Sequence, residues 1–266
     1  MQFVRPEIFH VAATYVDQEE MEQYLQALEA PWSTDAANTA EQLIEVAGRL
    51  CYRSFKPGLN KNVSKVREGN QPYLTNILNS KHGSVLEHGS DSYIFFNVSR
   101  VFTHEVVRHR AGCSYSQESL RYVRLDELRC SYPRVFERIE DEKKREHIKN
   151  LWIKHFESCE ALQLELAQTL DLDLDNKTFE EKKKLTSAMR RLAPMGLATS
   201  ILMTANHRVW RHLIQLRTSR YAEEEIRMVF AQVFEEQKKC YPNIYQDAIL
   251  QEVDGIPEII FKNEKV

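Results

Sequence analysis

Residues 108–122 read RHRAGCSYSQESLRY, and this stretch decides how the rest of the chain is interpreted. Within fifteen residues it holds three arginines, one histidine, three serines, one glutamine, one glutamate and two tyrosines. Burying such groups without partners costs on the order of several kcal/mol per charge, which disfavours a core strand or helix. A solvated face is the alternative, but such faces mostly use Lys and Glu. Because guanidinium forks and hydroxyls bind phosphate and planar heterocycles, the stretch predicts an anion-binding loop.

The composition is that of an ordinary globular chain. Its 266 residues carry a formal net charge of −3, so no overall field indicates binding to nucleic acid or to a membrane surface. There is no internal repeat and no convincing linker, which predicts a single domain over residues 1–266. The five cysteines form no CxxC pair, and no stretch has transmembrane length or a signal-peptide pattern. We therefore expect reduced thiols and a cytoplasmic location.

Apolar periodicity predicts a mixture of strands and helices. The predicted strands cover residues 9–15, 92–98 and 122–125. Four predicted helices are defined by their starts, which are after Asp17, after Ser99, at Asn176 or Thr178, and after Ser219. Two more cover residues 39–53 and 197–216, and residues 133–170 are also predicted to be helical. Two histidines in these elements, His10 in a strand and His155 on an apolar helical stripe, are interpreted as structural residues.

The helix that begins after Ser99 leads directly into the arginine-rich stretch. Val101, Glu105 and Arg108 share one of its faces at i, i+4 and i+7. This spacing brings residues 108–110 to the C-terminal end of the helix. There the helix dipole favours cations, and the side chains can extend outward to an anion.

The predicted helix at residues 197–216 is the second informative element. Its polar and aromatic side chains follow two adjacent ridges, with Asn206, Trp210, Leu213 and Arg217 on one and Arg208 and His212 on the other. A buried structural network explains one such polar group. Several of them on two adjacent ridges favour a ligand site.

A metal site and a glycine-based nucleotide cradle are both disfavoured. His82, Glu87 and His88 have the residue types of metal ligands, but their HxxxxEH spacing differs from the i, i+4 spacing of helical zinc sites. The chain contains no GxGxxG, no GxxxxGK[ST] and no GxSxG motif. We expect no metal, and any bound dinucleotide must be held by arginine and histidine side chains and helix ends.

These segments resemble the signature of the flavin-dependent thymidylate synthases. That family carries an Arg-His-Arg triplet, a spacer and a serine followed by x-Arg-Tyr, matched here by residues 108–110, Ser119 and Arg121. The usual spacer has seven residues and this one has eight, with the extra residue assigned near Gly112. Further family blocks are matched by GRLCYRS at residues 48–54, by His82 and Ser84 in a His-x-Ser-x-x-Glu-His element, by Asn206, Arg208, His212, Leu216 and Arg217, and by Arg190 four residues before Pro194.

The resemblance implies an α+β fold in which a mixed β-sheet is flanked by long α-helices, the flavin-dependent thymidylate synthase fold. It implies a homotetramer whose active sites are shared between subunits. The implied reaction is the reductive methylation of dUMP at C5, which gives dTMP. In this reaction 5,10-methylenetetrahydrofolate supplies the carbon, and FAD reduced by NADPH supplies the hydride.

The resemblance also implies a set of site residues. The residues implied to bind FAD are His82, Ser84, Arg108, His109, Arg110, Gln117, Asn206, Arg208 and His212. The residues implied to bind dUMP are Glu105, Arg108, Gln117, Ser119, Leu120, Arg121, Arg190 and Arg217. Arg217 and Ser119 are the catalytic candidates, with Arg217 next to charge that develops on the pyrimidine and Ser119 orienting the substrate rather than attacking it. Glu105 stands where the family has glutamine.

Two alternatives to dUMP methylation remain open. Within the family, the substrate is UMP or another pyrimidine nucleotide, because nothing in the sequence decides between ribose and deoxyribose. From a different class, the chain is a basic-loop RNA-binding module. The near-neutral net charge and the lack of exposed aromatic patterning argue against the module.

Overall fold

The computed structural model describes residues 1–120, 128–172, 177–264 and 266. The chain is 48% helical and 20% strand, which confirms the predicted α+β class. It divides into two compact units, called here the first and the second unit. The first unit comprises residues 1–9, 94–110 and 115–203, and the second comprises residues 10–93, 111–114 and 204–266. That the whole chain acts as a single domain stays a prediction.

Eight strands form three sheets in the described part of the chain. The strands are β1 Gln2–Val4, β2 Glu7–Ala13, β3 Ser90–Ser99, β4 Cys113–Gln117, β5 Arg129–Ser131, β6 Ala198–Asn206, β7 Ala248–Val253 and β8 Ile256–Phe261. The largest sheet has four strands in the order β2-β3-β6-β4. Strands β1 and β5 pair in parallel, with Gln2 opposite Arg129, and strands β7 and β8 form an antiparallel pair.

The helices begin and end close to the predicted positions in most cases. They are α1 Gln18–Ala27, α2 Thr39–Tyr52, α3 Asn70–Asn79, α4 Arg100–Val106, α5 Arg134–Glu137, α6 Glu142–Thr169, α7 Phe179–Met189, α8 His207–Thr218 and α9 Glu224–Cys240. Two 3-10 helices cover Gly83–Glu87 and Arg190–Leu192. None of the helices described is long and apolar enough to cross a membrane.

Local capping signals explain where several helices begin. The side chains of Asp17 and Ser99 accept backbone hydrogen bonds at the starts of α1 and α4. Thr178 forms a capping box with Glu181 at the start of α7. The alternative start at Asn176 lies outside the described residues.

The prediction of a helix over residues 197–216 is wrong in its first half. Ala198–Asn206 is strand β6, and its residues alternate between buried and half-buried along most of the strand. Asn206 is the N-cap of α8, and its side chain accepts a hydrogen bond from the Val209 amide at 2.9 Å. Trp210 and Leu213, which were predicted to share a ligand-binding ridge with Asn206, are core residues that are 0% and 1% exposed. Pairing with other strands, a non-local effect, overrides the helical spacing here.

The prediction that residues 108–122 form only a loop is also wrong. Cys113–Gln117 is strand β4, which lies at one edge of the four-stranded sheet. Exposed and half-buried residues alternate along this strand, and Ser114 and Ser116 are among the exposed ones. An edge strand therefore accommodates a polar composition that a central strand would not. The predicted strand at residues 122–125 lies outside the described residues.

In the first unit, α6 packs through Phe156 against a cluster that includes Leu128, Cys130 and Leu197. His155, predicted to be a packed helix residue, is exposed. The buried stripe passes through Phe156 and Gln163 instead, because the helix is rotated relative to the predicted apolar face.

In the second unit, α8 and α9 pack together with the hairpin of β7 and β8, a segment that was not predicted from the sequence. Arg211 of α8 is buried there. Its guanidinium donates to both carboxylate oxygens of Asp247 at 2.8 and 3.1 Å and lies 4.1 Å from the ring centre of Phe261. The ion pair between Arg211 and Asp247 joins the segment just before β7 to α8, the helix that carries the predicted ligand residues.

Candidate active site

In the first unit, the arginine-rich triplet follows directly after a short helix. Helix α4 ends at Val106, so residues 108–110 lie beyond its last turn, and Arg108 and Arg110 are exposed. The hydroxyl of Tyr115 in β4 lies 2.9 Å from the carbonyl oxygen of Val106 and 2.8 Å from that of His109, and it donates to this pair of acceptors. Tyr115 therefore fixes the backbone of the triplet against β4, a role that the sequence analysis did not assign.

Glu118 attaches the segment that carries the signature serine to strand β6. Its amide donates to the Ser200 carbonyl at 3.0 Å, and its carboxylate accepts from the Ser200 amide at 3.1 Å and from the Thr199 hydroxyl at 3.4 Å. The carboxylate is thus directed at β6. Ser119 and Leu120 follow as half-buried residues, and Arg121 lies outside the described residues.

The positive charges of two arginines in the first unit, Arg100 and Arg190, repel each other. Burial lowers the pKa of Arg100, the negative charge of Glu118 opposes that effect, and the positive charge of Arg190 lowers the pKa further. The Nε atom of Arg100 is buried and has no hydrogen-bond partner among the described residues, and the same is true of Nε2 of Gln117. Arg100 was missed in the sequence because an arginine in the first turn of a helix is usually solvated. Two cations and two unused donors in one unit are suited to an anionic ligand.

In the second unit, the 3-10 helix Gly83–Glu87 packs against α8. Nη1 of Arg208 donates to Oε1 of Glu87 at 2.5 Å, and both side chains remain partly exposed. A Cβ atom built on Gly83 would lie 3.0 Å from Nε of Arg208, so a larger residue here would require the Arg208 side chain to shift by a few tenths of an ångström. The ion pair was not predicted, and it orients Arg208 while leaving further N–H groups for a ligand.

The same unit holds His82 in a defined position. Its ring stacks on Tyr52 with 5.6 Å between the centroids, and the Tyr52 hydroxyl lies 3.1 Å from Nε2. Ser84, two residues further on, is exposed. Tyr52 belongs to the GRLCYRS block but was not assigned a role.

Gly112 brings the spacer of the signature close to the start of α8. Its φ angle is +70°, and a Cβ atom there would lie 2.8 Å from Cγ2 of Val209 and 3.4 Å from Nδ2 of Asn206. A side chain at this position would therefore be strained in two ways. The extra residue of the spacer, assigned near Gly112, falls at this turn.

The structure thus distributes the predicted site residues over both units. The first unit contains Glu105, Arg108, His109, Arg110, Gln117, Ser119, Leu120 and Arg190. The second unit contains His82, Ser84, Asn206, Arg208, His212 and Arg217. Within the second unit, contacts or close approaches join the segments that carry His82, Asn206 and Arg208. His212 is exposed and Arg217 is half-buried in the last turn of α8.

Comparisons with known proteins define the class of the chain. Residues 34–243 match the family described as "Thymidylate synthase complementing protein". The fold resembles two crystal structures of the UMP/dUMP methylase PolB from Streptomyces cacaoi. The structure bound with 5-Br UMP has a TM-score of 0.60 at 15% identity and covers 92% of this chain and 95% of that one. The structure bound with 5-Br dUMP has a TM-score of 0.61 at 16% identity and covers 92% and 96%.

The sequence relatives narrow the class to one family. The chain is 33% identical over 226 residues to the flavin-dependent thymidylate synthase of Mycobacterium tuberculosis (strain ATCC 25618 / H37Rv). The matched region covers 84% of this chain and 85% of the relative. The chain is also 33% identical over 228 residues to the enzyme of the same name from Mycobacterium marinum (strain ATCC BAA-535 / M), with 85% and 86% covered. The chain belongs to the flavin-dependent thymidylate synthase family. The predictions of this family and of a methyltransferase-type enzyme with a flavin cofactor are confirmed.

Proposed function

We propose that the protein converts dUMP to dTMP by reductive methylation at C5. In this proposal 5,10-methylenetetrahydrofolate supplies the carbon, and FAD reduced by NADPH supplies the hydride. The observation that carries the proposal is the cationic region of the first unit. There the charges of Arg100 and Arg190 influence each other, and Nε2 of Gln117 is buried without a hydrogen-bond partner in the part of the chain that the structure describes. This region lies in the unit that also contains the Arg-His-Arg triplet and Ser119.

Arg100 and Arg190 are assigned to the phosphate of the nucleotide. Two positive charges in one region repel each other. A phosphate dianion attracts both of them and so offsets that repulsion. The amide of Gln117 is assigned to the edge of the pyrimidine ring, because its buried donor, which has no partner among the described residues, gains one there. Arg217 is assigned to the negative charge that develops on the ring during the reaction. Arg108, Glu105, Leu120 and Arg121 complete the set of proposed nucleotide contacts.

Ser119 is assigned to orienting the substrate. A serine hydroxyl needs a neighbouring base in order to attack, and the adjacent Glu118 carboxylate already accepts from the Ser200 amide and the Thr199 hydroxyl. Ser119 therefore holds the nucleotide through a hydrogen bond. Mass spectrometry of protein incubated with dUMP should find no covalent adduct at Ser119 or at Cys113, and a stable adduct at either residue would contradict the assignment.

The second unit fits a flavin bound without a glycine-rich fingerprint. The side chains of His82 and Arg208 are oriented by Tyr52 and Glu87, and the Asn206 amide group lies beside Gly112. Oriented imidazole, guanidinium and amide donors suit phosphates and polar ring edges. We assign these three residues to FAD, together with Ser84, Arg108, His109, Arg110, Gln117 and His212. The bound flavin supplies the hydride, and the residues of this chain bind and orient it.

A matched pair of variants tests the flavin assignment. Arg208→Ala should weaken flavin retention by about tenfold or more, because each charged hydrogen bond contributes ~1.5–3 kcal/mol. Arg220→Ala is the control, since the partly exposed Arg220 also pairs with a glutamate, Glu258, but is not assigned to the flavin. Flavin content after purification, read from the visible spectrum, measures the effect. Equal retention in the two variants would count against Arg208.

We further propose a cytoplasmic homotetramer with active sites shared between subunits. FAD, a nucleotide and a folate together exceed an ordinary pocket, and a neighbouring protomer supplies additional walls. Arg121→Ala and Arg217→Ala should each abolish turnover. Unfolding the two inactive variants and reassembling them together should restore part of the activity, because some mixed sites then contain neither substitution. No recovery in mixed tetramers, or an active FAD-loaded monomer, excludes sharing.

UMP methylation is the second candidate activity, and the PolB structures favour keeping it. Both structures are of one UMP/dUMP methylase, bound with 5-Br UMP in one case and with 5-Br dUMP in the other. A competition assay with equal concentrations of UMP and dUMP decides between the two substrates. Predominant formation of dTMP supports the proposal, and predominant methylation of UMP replaces it.

A further inference from the structure

Three metal-ligating side chains converge in the second unit, and none of them is assigned to the flavin or the nucleotide. They are His10 of β2 and Glu236 and Cys240 of α9. One ligand atom from each residue lies within 4.8 Å of the other two. All three residues are half-buried, so the cluster is partly shielded but can be reached from solvent.

The spacing of the two helical residues is that of helical zinc ligands. Glu236 and Cys240 are four residues apart and therefore lie on the same face of α9. The Cys240 thiol donates to Oε1 of Glu236 at 3.4 Å. Ligand atoms around a tetrahedral zinc ion are about 3.3–3.8 Å apart, given zinc–ligand bonds of about 2.0–2.3 Å. The helical pair already has this separation, and a ring nitrogen of His10 lies within 4.8 Å of both ligand atoms, so a small inward shift of the imidazole completes the set.

The surroundings of the cluster also suit a dication. Asp91 is fully buried, and its Oδ1 lies 3.3 Å from Nε2 of His10. A carboxylate next to a ligating histidine is a common outer partner in zinc sites, where it orients the ring. The His10 ring also stacks on Tyr93 with 4.7 Å between the centroids, which restricts its rotation. The positive charge of Lys239 disfavours a bound cation, but its Nζ contacts the oxygen of Glu236 that is not hydrogen-bonded to Cys240, Oε2, at 3.9 Å.

We propose that His10, Glu236 and Cys240 form a zinc site that joins strand β2 to helix α9. One thiolate, one imidazole and one carboxylate leave a fourth tetrahedral position, which water fills. Binding releases the thiol proton of Cys240, and the zinc–sulfur bond replaces the S–H bond. This ligand set favours Zn²⁺ over Mg²⁺ or Ca²⁺, which prefer oxygen ligands.

Zinc binding by the flavin-loaded enzyme tests the proposal. The protein is first treated with a chelator, then dialysed against Zn²⁺, and its zinc is measured by elemental analysis. We expect about one zinc ion per chain. Cys240→Ser and Glu236→Gln should each weaken binding by about tenfold or more. Glu235→Gln is the matched control, because Glu235 is an exposed neighbour on the same helix and should bind zinc like the parent enzyme.

Two further readouts separate the loss of a ligand from the loss of the fold. Co²⁺ in place of Zn²⁺ should give a sulfur-to-metal charge-transfer band that is absent in Cys240→Ser. Zn²⁺ should raise the unfolding temperature of the parent and of Glu235→Gln but not of the other two variants, whose unfolding temperatures in chelator show that they are folded. Absence of bound zinc in the parent, or equal zinc in all variants, overturns the proposal.

Discussion

Replacing Tyr115 with phenylalanine removes one hydroxyl that serves two carbonyl oxygens, those of Val106 and His109. Val106 is the last residue of α4, where carbonyl groups have no partner within the helix. A hydrogen bond contributes about 0.5–1.5 kcal/mol net, and leaving its acceptors without a donor adds a desolvation cost. We therefore expect Tyr115→Phe to lower the free energy of unfolding by about 1–2 kcal/mol.

The assay is urea unfolding of flavin-free protein, followed by circular dichroism. Tyr221→Phe is the control, because Tyr221 is 92% exposed and its hydroxyl should contribute less than about 0.5 kcal/mol. Because Tyr115 fixes the backbone of the Arg-His-Arg triplet, we also expect Tyr115→Phe to bind flavin about fivefold more weakly. An unfolding free energy within about 0.5 kcal/mol of the parent would refute the role given to this hydroxyl.

Three further changes probe other parts of the structure. Gly112→Ala should destabilise the protein more than Gly58→Ala, because both glycines have positive φ but only at Gly112 would the new Cβ lie 2.8 Å from Val209. The midpoints of urea unfolding measure the difference, and equal midpoints would exclude the close approach. Contact with the Asp91 carboxylate raises the pKa of His10, so in chelator the stability advantage of the parent over His10→Gln should be complete below pH 6.5 and decline as the pH rises through the raised pKa. An advantage that grows with pH would contradict this sign. Glu118→Gln keeps the shape of the side chain but removes the negative charge beside Arg100, so it should weaken the attachment of the signature segment to β6 and reduce turnover several-fold. Glu105→Gln, a change of a half-buried residue toward the family residue, should preserve turnover.

Local signals in the sequence predicted the helix starts well. Asp17, Ser99 and Thr178 cap their helices through contacts with residues two or three positions further on, and such contacts are visible in the sequence. The error at residues 197–216 has a non-local cause. The spacing of Asn206, Trp210 and Leu213 suggested one continuous helix, whereas the pairing of β6 with distant strands makes the first half a strand.

The candidate site shows the same division. The Arg-His-Arg triplet and the serine were found because the signature is contiguous, and the family comparisons confirm the family that it indicated. Arg100 was missed because its relation to Arg190 depends on how the chain folds over ninety residues. The cluster of His10 with Cys240 was missed for the same reason, since the strand and the helix lie at opposite ends of the chain.

The formation of dTMP from dUMP tests the central claim most directly. Flavin-loaded enzyme with methylenetetrahydrofolate and NADPH should form dTMP, and the hydrogen at C5 of dUMP should be released. Arg190→Ala should lower kcat/KM by about 10–100-fold, as expected for a lost charged hydrogen bond to phosphate, whereas Arg191→Ala, the adjacent exposed arginine, should retain it. Absence of dTMP from flavin-loaded parent enzyme, or equal rates for the two arginine variants, would contradict the account.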